Sequence, residues 1–172
     1  VSPDNGVLSA VLDEVPPRRV VELTERRYAR PTVSRTFEGR DRFAPAAAWL
    51  AKGIELTALG RPAGTIERLE LARPRATDEG VEGEVVHIDR FGNLITNIDR
   101  KTFERIAAGQ FTIRVGARHI SKVVSTYADA APGDICALFG STDHLEIAAS
   151  GASAASVLAL GRGAAVHVVR GA

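Results

Sequence analysis

From residue 83 onward, apolar residues recur at every second position in one short run after another. The runs are GEVVHID, NLITNI, FTIRV, HISKVVSTY, DICALFG, LEIA and AVHVV. A period of two sends successive side chains to opposite faces of an extended backbone, so each run reads as a strand with one face for a core. Turn residues separate the runs. Seven short strands of this kind fold as an antiparallel barrel or sandwich. One helix, ASAASVLALG, is expected before the last strand.

The first part of the chain reads differently. SPDNG supplies turn chemistry, and VLSAVLDEV places Val7, Leu8, Val11 and Leu12 at helical spacing. RRVVEL reads as a strand. FAPAAAWLAKG reads as a helix, with Pro45 in its first turn, Gly53 at its end, Ala46 to Ala48 allowing close packing, and Trp49 in the core. Residues 57–82 are punctuated by Gly60, Pro62, Gly64, Pro74 and Gly80, which places a boundary near residues 72–80. The expected organisation is a partial α/β domain over residues 1–75, a Rossmann-like remnant, followed by an all-β domain over residues 76–172. Two helices and about two strands are too few to cover an α/β sheet on both faces. The chain also begins at Val1 and contains no Met. Both features lead us to expect an N-terminal segment that completes the first domain.

Charge excludes several function classes. With 22 basic and 21 acidic residues the net charge is +1, so there is no field to select nucleic acid or an anionic membrane. No apolar run reaches the ~18 residues of a membrane helix, and no signal-peptide pattern opens the chain. The single Cys136 cannot form an internal disulfide, which fits a reducing compartment and a cytoplasmic location. His87, His119, His144 and His167 share no ligand spacing, so no metal is expected. The glycines fit neither a dinucleotide nor a P-loop frame, and no nucleophile elbow occurs.

Three polar clusters remain. VSRTFEGRD crowds Ser34, Thr36, Glu38, Arg40 and Asp41 at a helix entrance, where free N–H groups favour anions, although capping with an Arg40–Glu38 or Arg40–Asp41 pair explains the same residues. HIDRFGNLITNI carries Asp89, Phe91, Asn93 and Asn97, more polar groups than a tight turn needs. FGSTDHLEIAASG places Ser141 and Thr142 after a buried strand, and its small residues 148–151 let a flat ring approach the main chain.

In order along the chain, PDNG, TFEGRDRFAPAAAWLAKG, IDRFGNLITNI, STYADAAPGD and GSTDHLEIAASGASAASVLALGRG resemble segments of the S-adenosyl-L-methionine hydroxide adenosyltransferases, relatives of the fluorinases and chlorinases. The resemblance covers nearly the whole chain and implies a homotrimer. Substrate would be bound between the N-terminal domain of one subunit and the C-terminal domain of its neighbour. Carried onto matching positions, Asp89 would bind the methionine ammonium and Asn93 would read the adenine edge. Phe91 and Tyr127 would pack on the rings, and Ser141 would hold the methionine carboxylate. Backbone around Gly151 would bond adenine. Thr36, Phe37, Glu38 and Gly39 would lie beside the reacting 5′ carbon. Asp89 and Asn93 are then expected to serve opposite ends of one ligand, and Asn97 to belong to the turn.

The sequence departs from the family's pattern at four positions. Hydrolase-type members carry His where this chain has Glu38, and halogenase-type members carry Tyr. Thr142 and Ala149 replace halogenase Arg residues, and Gly39 replaces the fluorinase Ser near its halide. The implied reaction is displacement at the 5′ carbon of a sulfonium by water, yielding adenosine and L-methionine with no cofactor. Hydroxide and sulfonium lose their charges along that path, so a dry pocket favours it. Holding water in line contributes about 7–11 kcal/mol. Glu38 would orient that water, and burial would make it a stronger base. Two other readings stand beside this one, a chloride-using halogenase and a non-catalytic module that binds adenosine or S-adenosyl-L-methionine.

Overall fold

The computed structural model describes residues 1–171, and the chain divides into two compact units, Val1–Leu71 and Ala72–Ala172. In the first unit a short helix α1 (Ser9–Glu14) precedes strand β1 (Val21–Leu23), which pairs antiparallel with β2 (Gly60–Pro62). The second strand lies inside the stretch 57–82 that Gly and Pro punctuate. Gly60 permits the pairing, because a Cβ there would lie 2.0 Å from the Glu22 carbonyl oxygen.

Helix α2 (Ala44–Ala51) ends as its sequence predicts, with Pro45 in the first turn and Gly53 at φ +88° just beyond the last turn. Its buried face is narrower than expected. Ala46 is sealed, but Trp49 is 38% exposed and meets Tyr28 edge-on at 5.7 Å, so the expected core position for Trp49 does not hold. A single π-type turn, Gly39–Phe43, leads into α2. Such turns re-aim side chains by widening the helix by one residue.

The second unit is an eight-stranded antiparallel sheet. Its strands are β3 (Arg75–Ala76), β4 (Gly80–Ile88), β5 (Leu94–Asp99), β6 (Phe111–Val115), β7 (Arg118–Ile120), β8 (Ile135–Phe139), β9 (His144–Ala149) and β10 (Ala165–Arg170). The order runs β7-β6-β10-β4-β5-β9-β8, with β3 on β4. Val124 N–H donates to the Ala137 carbonyl at 2.8 Å, so the segment after β7 reaches back to β8 and nearly closes a barrel. Strand β4 serves two neighbours in turn. Its residues 80–84 pair with β10 and residues 85–88 with β5, across an irregularity between Val85 and His87.

Side chains of Val85, Leu94, Ile98, Ile113, Leu145, Ile147, Val166 and Val168 fill the interior. Helix α3 (Arg100–Ile106) covers one end, and its Phe103 meets Phe111 and Phe139 edge-on at 5.1 and 5.3 Å. This helix was not read from the sequence. Asp99 caps it by accepting from the Thr102 amide at 2.7 Å. The HISKVVSTY run is broken as well: β7 stops at Ile120, and a 3₁₀ turn, Tyr127–Asp129, is fixed by a Thr126–Asp129 capping box. Helix α4 (Ala154–Leu158) is shorter than the run that suggested it.

Candidate functional site

The turn between β4 and β5 is held by its own acid. Asp89 Oδ1 accepts from the amides of Phe91 and Asn93, and Oδ2 accepts from Asn93 Nδ2, all at 2.9 Å. The turn is then locked from outside. Gly92 sits at φ +86° with Ser153 where a Cβ would go, and its carbonyl accepts from the Ala155 amide at the start of α4. Burial pushes the Asp89 carboxyl up, but the N–H donors of Asn93, Phe91 and Gly92 outweigh it and hold the group below the usual carboxylate value.

Asp89 and Asn93 therefore form one joined acid–amide edge. A carboxylate offers about four acceptor positions, and three are filled here, which leaves room for one cationic donor. Asn93 is nearly buried, yet its Oδ1 has no partner among the described residues and is left as an acceptor. Phe91, at the tip of the turn, is 79% exposed. Asn97 is not part of the turn. It lies in β5, accepts from the Glu84 amide at 2.9 Å and donates to the Ala72 carbonyl at 3.1 Å.

Tyr127 is 44% exposed, and its hydroxyl donates to Glu146 Oε2 at 2.9 Å. Burial first, then that hydrogen bond and the negative charges of Glu146 and Asp89, push the phenol up to about 12. Glu146, on β9, was missed in the sequence because it sits in the apolar run LEIAA. It is a buried carboxylate between two fully buried side chains, Leu145 and Ile147.

Strand register sorts the remaining barrel residues. Leu94 faces Ile147 and Asp99 faces His144, so the Asp89–Asn93 turn lies toward the Gly151 end of β9. Ser141 and Thr142 occupy the turn at the opposite end. Five residue steps of strand, roughly 17 Å, separate the two ends. Gly151 turns at φ +72°. Ala149, the position of a halogenase Arg by resemblance, is buried.

In the first unit, Asp41 is fully buried and organises the loop before α2. It accepts from Arg40 in bidentate fashion at 2.7 and 3.0 Å and from the Ser34 amide at 2.9 Å, with Arg30 at 3.8 Å. The Arg40 hydrogen bond, with that from Ser34, holds its carboxyl down at about 2. Arg40 thus pairs with Asp41, not with Glu38, and its guanidinium covers the exposed Phe37 ring at 4.7 Å. Thr36 leans on Ser34 through a 3.2 Å hydroxyl contact.

Glu38 is expected to orient water, with burial making it a stronger base, and in this chain it is not buried. Its side chain is 41% exposed and lies 2.8 Å from Arg42 Nε, although that N–H is not aligned for a hydrogen bond. Glu38 and Arg42 border a cavity of about 810 Å³ shared with Leu8, Leu12, Leu50 and Leu56. Gly39 opens the π-type turn, with free space where a Cβ would go.

Residues 1–60 match the SAM (S-adenosyl-L-methionine) hydroxide adenosyltransferase N-terminal domain, and residues 83–167 match the C-terminal domain of the same name. A protein of Thermus thermophilus named (R)-S-adenosyl-L-methionine hydrolase is 39% identical over 98% of this chain. One of the same name from Salinispora tropica is 37% identical over 99%. This chain spans 66% and 65% of their respective lengths. A fluorinase of an Actinoplanes species is 30% identical over 99% of the chain and 60% of its own length. Among solved structures, an uncharacterised conserved protein from Thermotoga maritima superposes with a TM-score of 0.80 at 33% identity, over 98% of this chain and 66% of that one. The chain belongs to the SAM hydroxide adenosyltransferase family.

Proposed function

We propose that the protein hydrolyses S-adenosyl-L-methionine to adenosine and L-methionine, with water displacing the sulfonium at the 5′ carbon. The observation that carries the reading is the Asp89–Asn93 edge flanked by two exposed rings, Phe91 and Tyr127, in a chain 39% identical to a protein named for this hydrolysis. Exposed aromatic faces suit a purine, and the unfilled Asn93 Oδ1 suits its amino group. The remaining acceptor position on Asp89 suits the methionine ammonium, and backbone around Gly151 suits the adenine edge. Ser141, with Thr142 beside it, lies at the other end of β9; the ammonium and carboxylate of one methionine share a carbon, so Ser141 is not assigned to the amino acid held by Asp89.

Thr36, Phe37, Glu38 and Gly39 supply the reacting side. Glu38 accepts a hydrogen bond from water and favours the approach of the sulfonium, while Arg42 sets the direction of its carboxylate. The reaction needs water and substrate alone. We further propose a homotrimer in which the Glu38 loop of one subunit and the Asp89 turn of its neighbour share a substrate, and a cytoplasmic location in keeping with the free, buried Cys136. Nucleic acid and membrane are not expected as partners.

Chromatography of products formed from S-adenosyl-L-methionine tests the reaction. Adenosine with L-methionine is expected, and Glu38→Gln should cut its release about a hundredfold. Unchanged release in that variant would remove Glu38 from the mechanism. The 30% identity to a fluorinase favours a second reading, a halogenase. Thr142, Ala149 and Gly39 speak against it, and 5′-chloro-5′-deoxyadenosine formed in chloride would establish it. The exposed Glu38–Arg42 pair favours a third, a non-catalytic binding module, which calorimetry would establish as tight binding without turnover.

A further inference from the structure

We propose that Glu146 is a positioning residue for the nucleoside: it fixes the Tyr127 ring as the face on which the base stacks. The proposal rests on the functional reading above, and four observations support it. Glu146 is 7% exposed on a central strand, an expensive place for a carboxylate unless a donor meets it. The one hydrogen bond its carboxylate makes among the described residues comes from the Tyr127 hydroxyl at 2.9 Å. Tyr127 itself sits on a short 3₁₀ turn with its side chain part-exposed, and the hydroxyl bond ties the far end of the ring. Finally, the carboxylate is held from behind. Gly140 leaves the space its Oε1 occupies, since a Cβ there would lie 1.6 Å from that atom.

A buried acid tied to a half-exposed ring is poor design for stability alone, because a hydrophobic pair of the same volume would pack as well. It is good design for setting a ring plane. The hydroxyl takes one direction from the carboxylate, the residue stays 44% exposed, and the negative charge of Asp89 reaches the phenol.

The experiment is a double-mutant cycle read by calorimetry with adenosine, together with ultraviolet titration of the phenol. Glu146→Leu, which cannot accept, and Tyr127→Phe, which cannot donate, should each weaken adenosine binding about tenfold, and the double variant should be no weaker than either. Glu146→Gln keeps an acceptor and should recover most of the affinity, while Gly140→Ala, which displaces the carboxylate, should mimic Glu146→Leu. Losses that multiply in the double variant, or a Tyr127→Phe protein that binds as wild type, would overturn the proposal. Tyr127→Phe deletes only a hydroxyl, so it carries the test even if Glu146→Leu fails to fold. If wild-type protein binds no adenosine, the functional reading fails. The titration then still decides the contact: Glu146→Gln should lower the midpoint of the Tyr127 ionisation, and an unmoved midpoint would show that the two do not act together.

Discussion

The Asp89 turn and the Glu38 loop are both short polar segments, and they are held in different ways. The Asp89 turn is fixed by backbone. Two strands clamp it, Gly92 docks on Ser153, and its carboxylate accepts three hydrogen bonds from amides of the same turn. The Glu38 loop is fixed by charge. One sealed carboxylate, Asp41, gathers Arg40, Arg30 and the Ser34 amide, and a π-type turn follows at once. A backbone-built site is rigid and tolerant of salt. A charge-built site is only as firm as its ion pairs, which suits a loop proposed to carry the reacting side. The binding half of the proposed chemistry thus lies on the stiffer scaffold.

The largest expected effect breaks the charge-built side. Asp41→Asn leaves Arg40 and the Ser34 amide without their anion. It should lower adenosine release about a hundredfold, the scale that follows a 1 Å misplacement of reacting groups, with adenosine affinity little changed. Equal losses in affinity and turnover would show that the two sites are not separable in this way. Next comes the backbone-built side. Asn93→Ala removes the amide that Asp89 holds and should weaken adenosine binding by about 1–3 kcal/mol, again by calorimetry. Gly92→Ala meets Ser153 and a φ of +86°, so thermal denaturation should report a loss of about 1–3 kcal/mol in the barrel unit.

Acid should separate the two regions from each other more gently. The Asp41 carboxyl ionises at about 2 in the folded chain against an ordinary 3.8. Its contribution is therefore complete above 3.8 and disappears as pH falls through about 2. At the other extreme, the Tyr127 phenol is raised to about 12. Its contribution is present below the ordinary 10.0 and is lost as pH rises through about 12. Alkaline exposure followed by circular dichroism should therefore disturb the barrel site, and acid exposure should release the Glu38 loop. The smallest effect is Asp99→Ala, which uncaps α3 and should cost about 1 kcal/mol in a denaturant melt.

Much of the architecture was legible because local chemistry and tertiary demand agreed. Pro45 and Gly53 bracket α2, and the Asp89-to-Asn93 run marks the β4–β5 turn. The alternating runs supply most of the barrel strands. Signals were lost where short elements depend on distant partners. Strand β2 is three residues among Gly and Pro and exists because Glu22 and Leu23 lie opposite it. The end of β7 at Ile120 is set by where Val123 and Val124 must meet Ala137, which no local pattern encodes. Helix α3 announced itself only by Asp99 and a Phe103–Ile106 face.

The site shows the same division. The motif residues were readable as a set, whereas their pairing was not. Arg40 could have joined Glu38 or Asp41, and burial of Asp41 decided it. Nothing in the sequence joins Asp89 to Asn93 at 2.9 Å or ties Tyr127 to Glu146, nineteen residues away.

The most direct measurement is hydrolysis of S-adenosyl-L-methionine in heavy-oxygen water, with mass spectrometry of the nucleoside. Attack by water at the 5′ carbon predicts adenosine carrying the label in its 5′ hydroxyl, at a rate that drops in Glu38→Gln. Unlabelled nucleoside, a halogenated product, or intact substrate after prolonged incubation with protein that binds it would contradict the account.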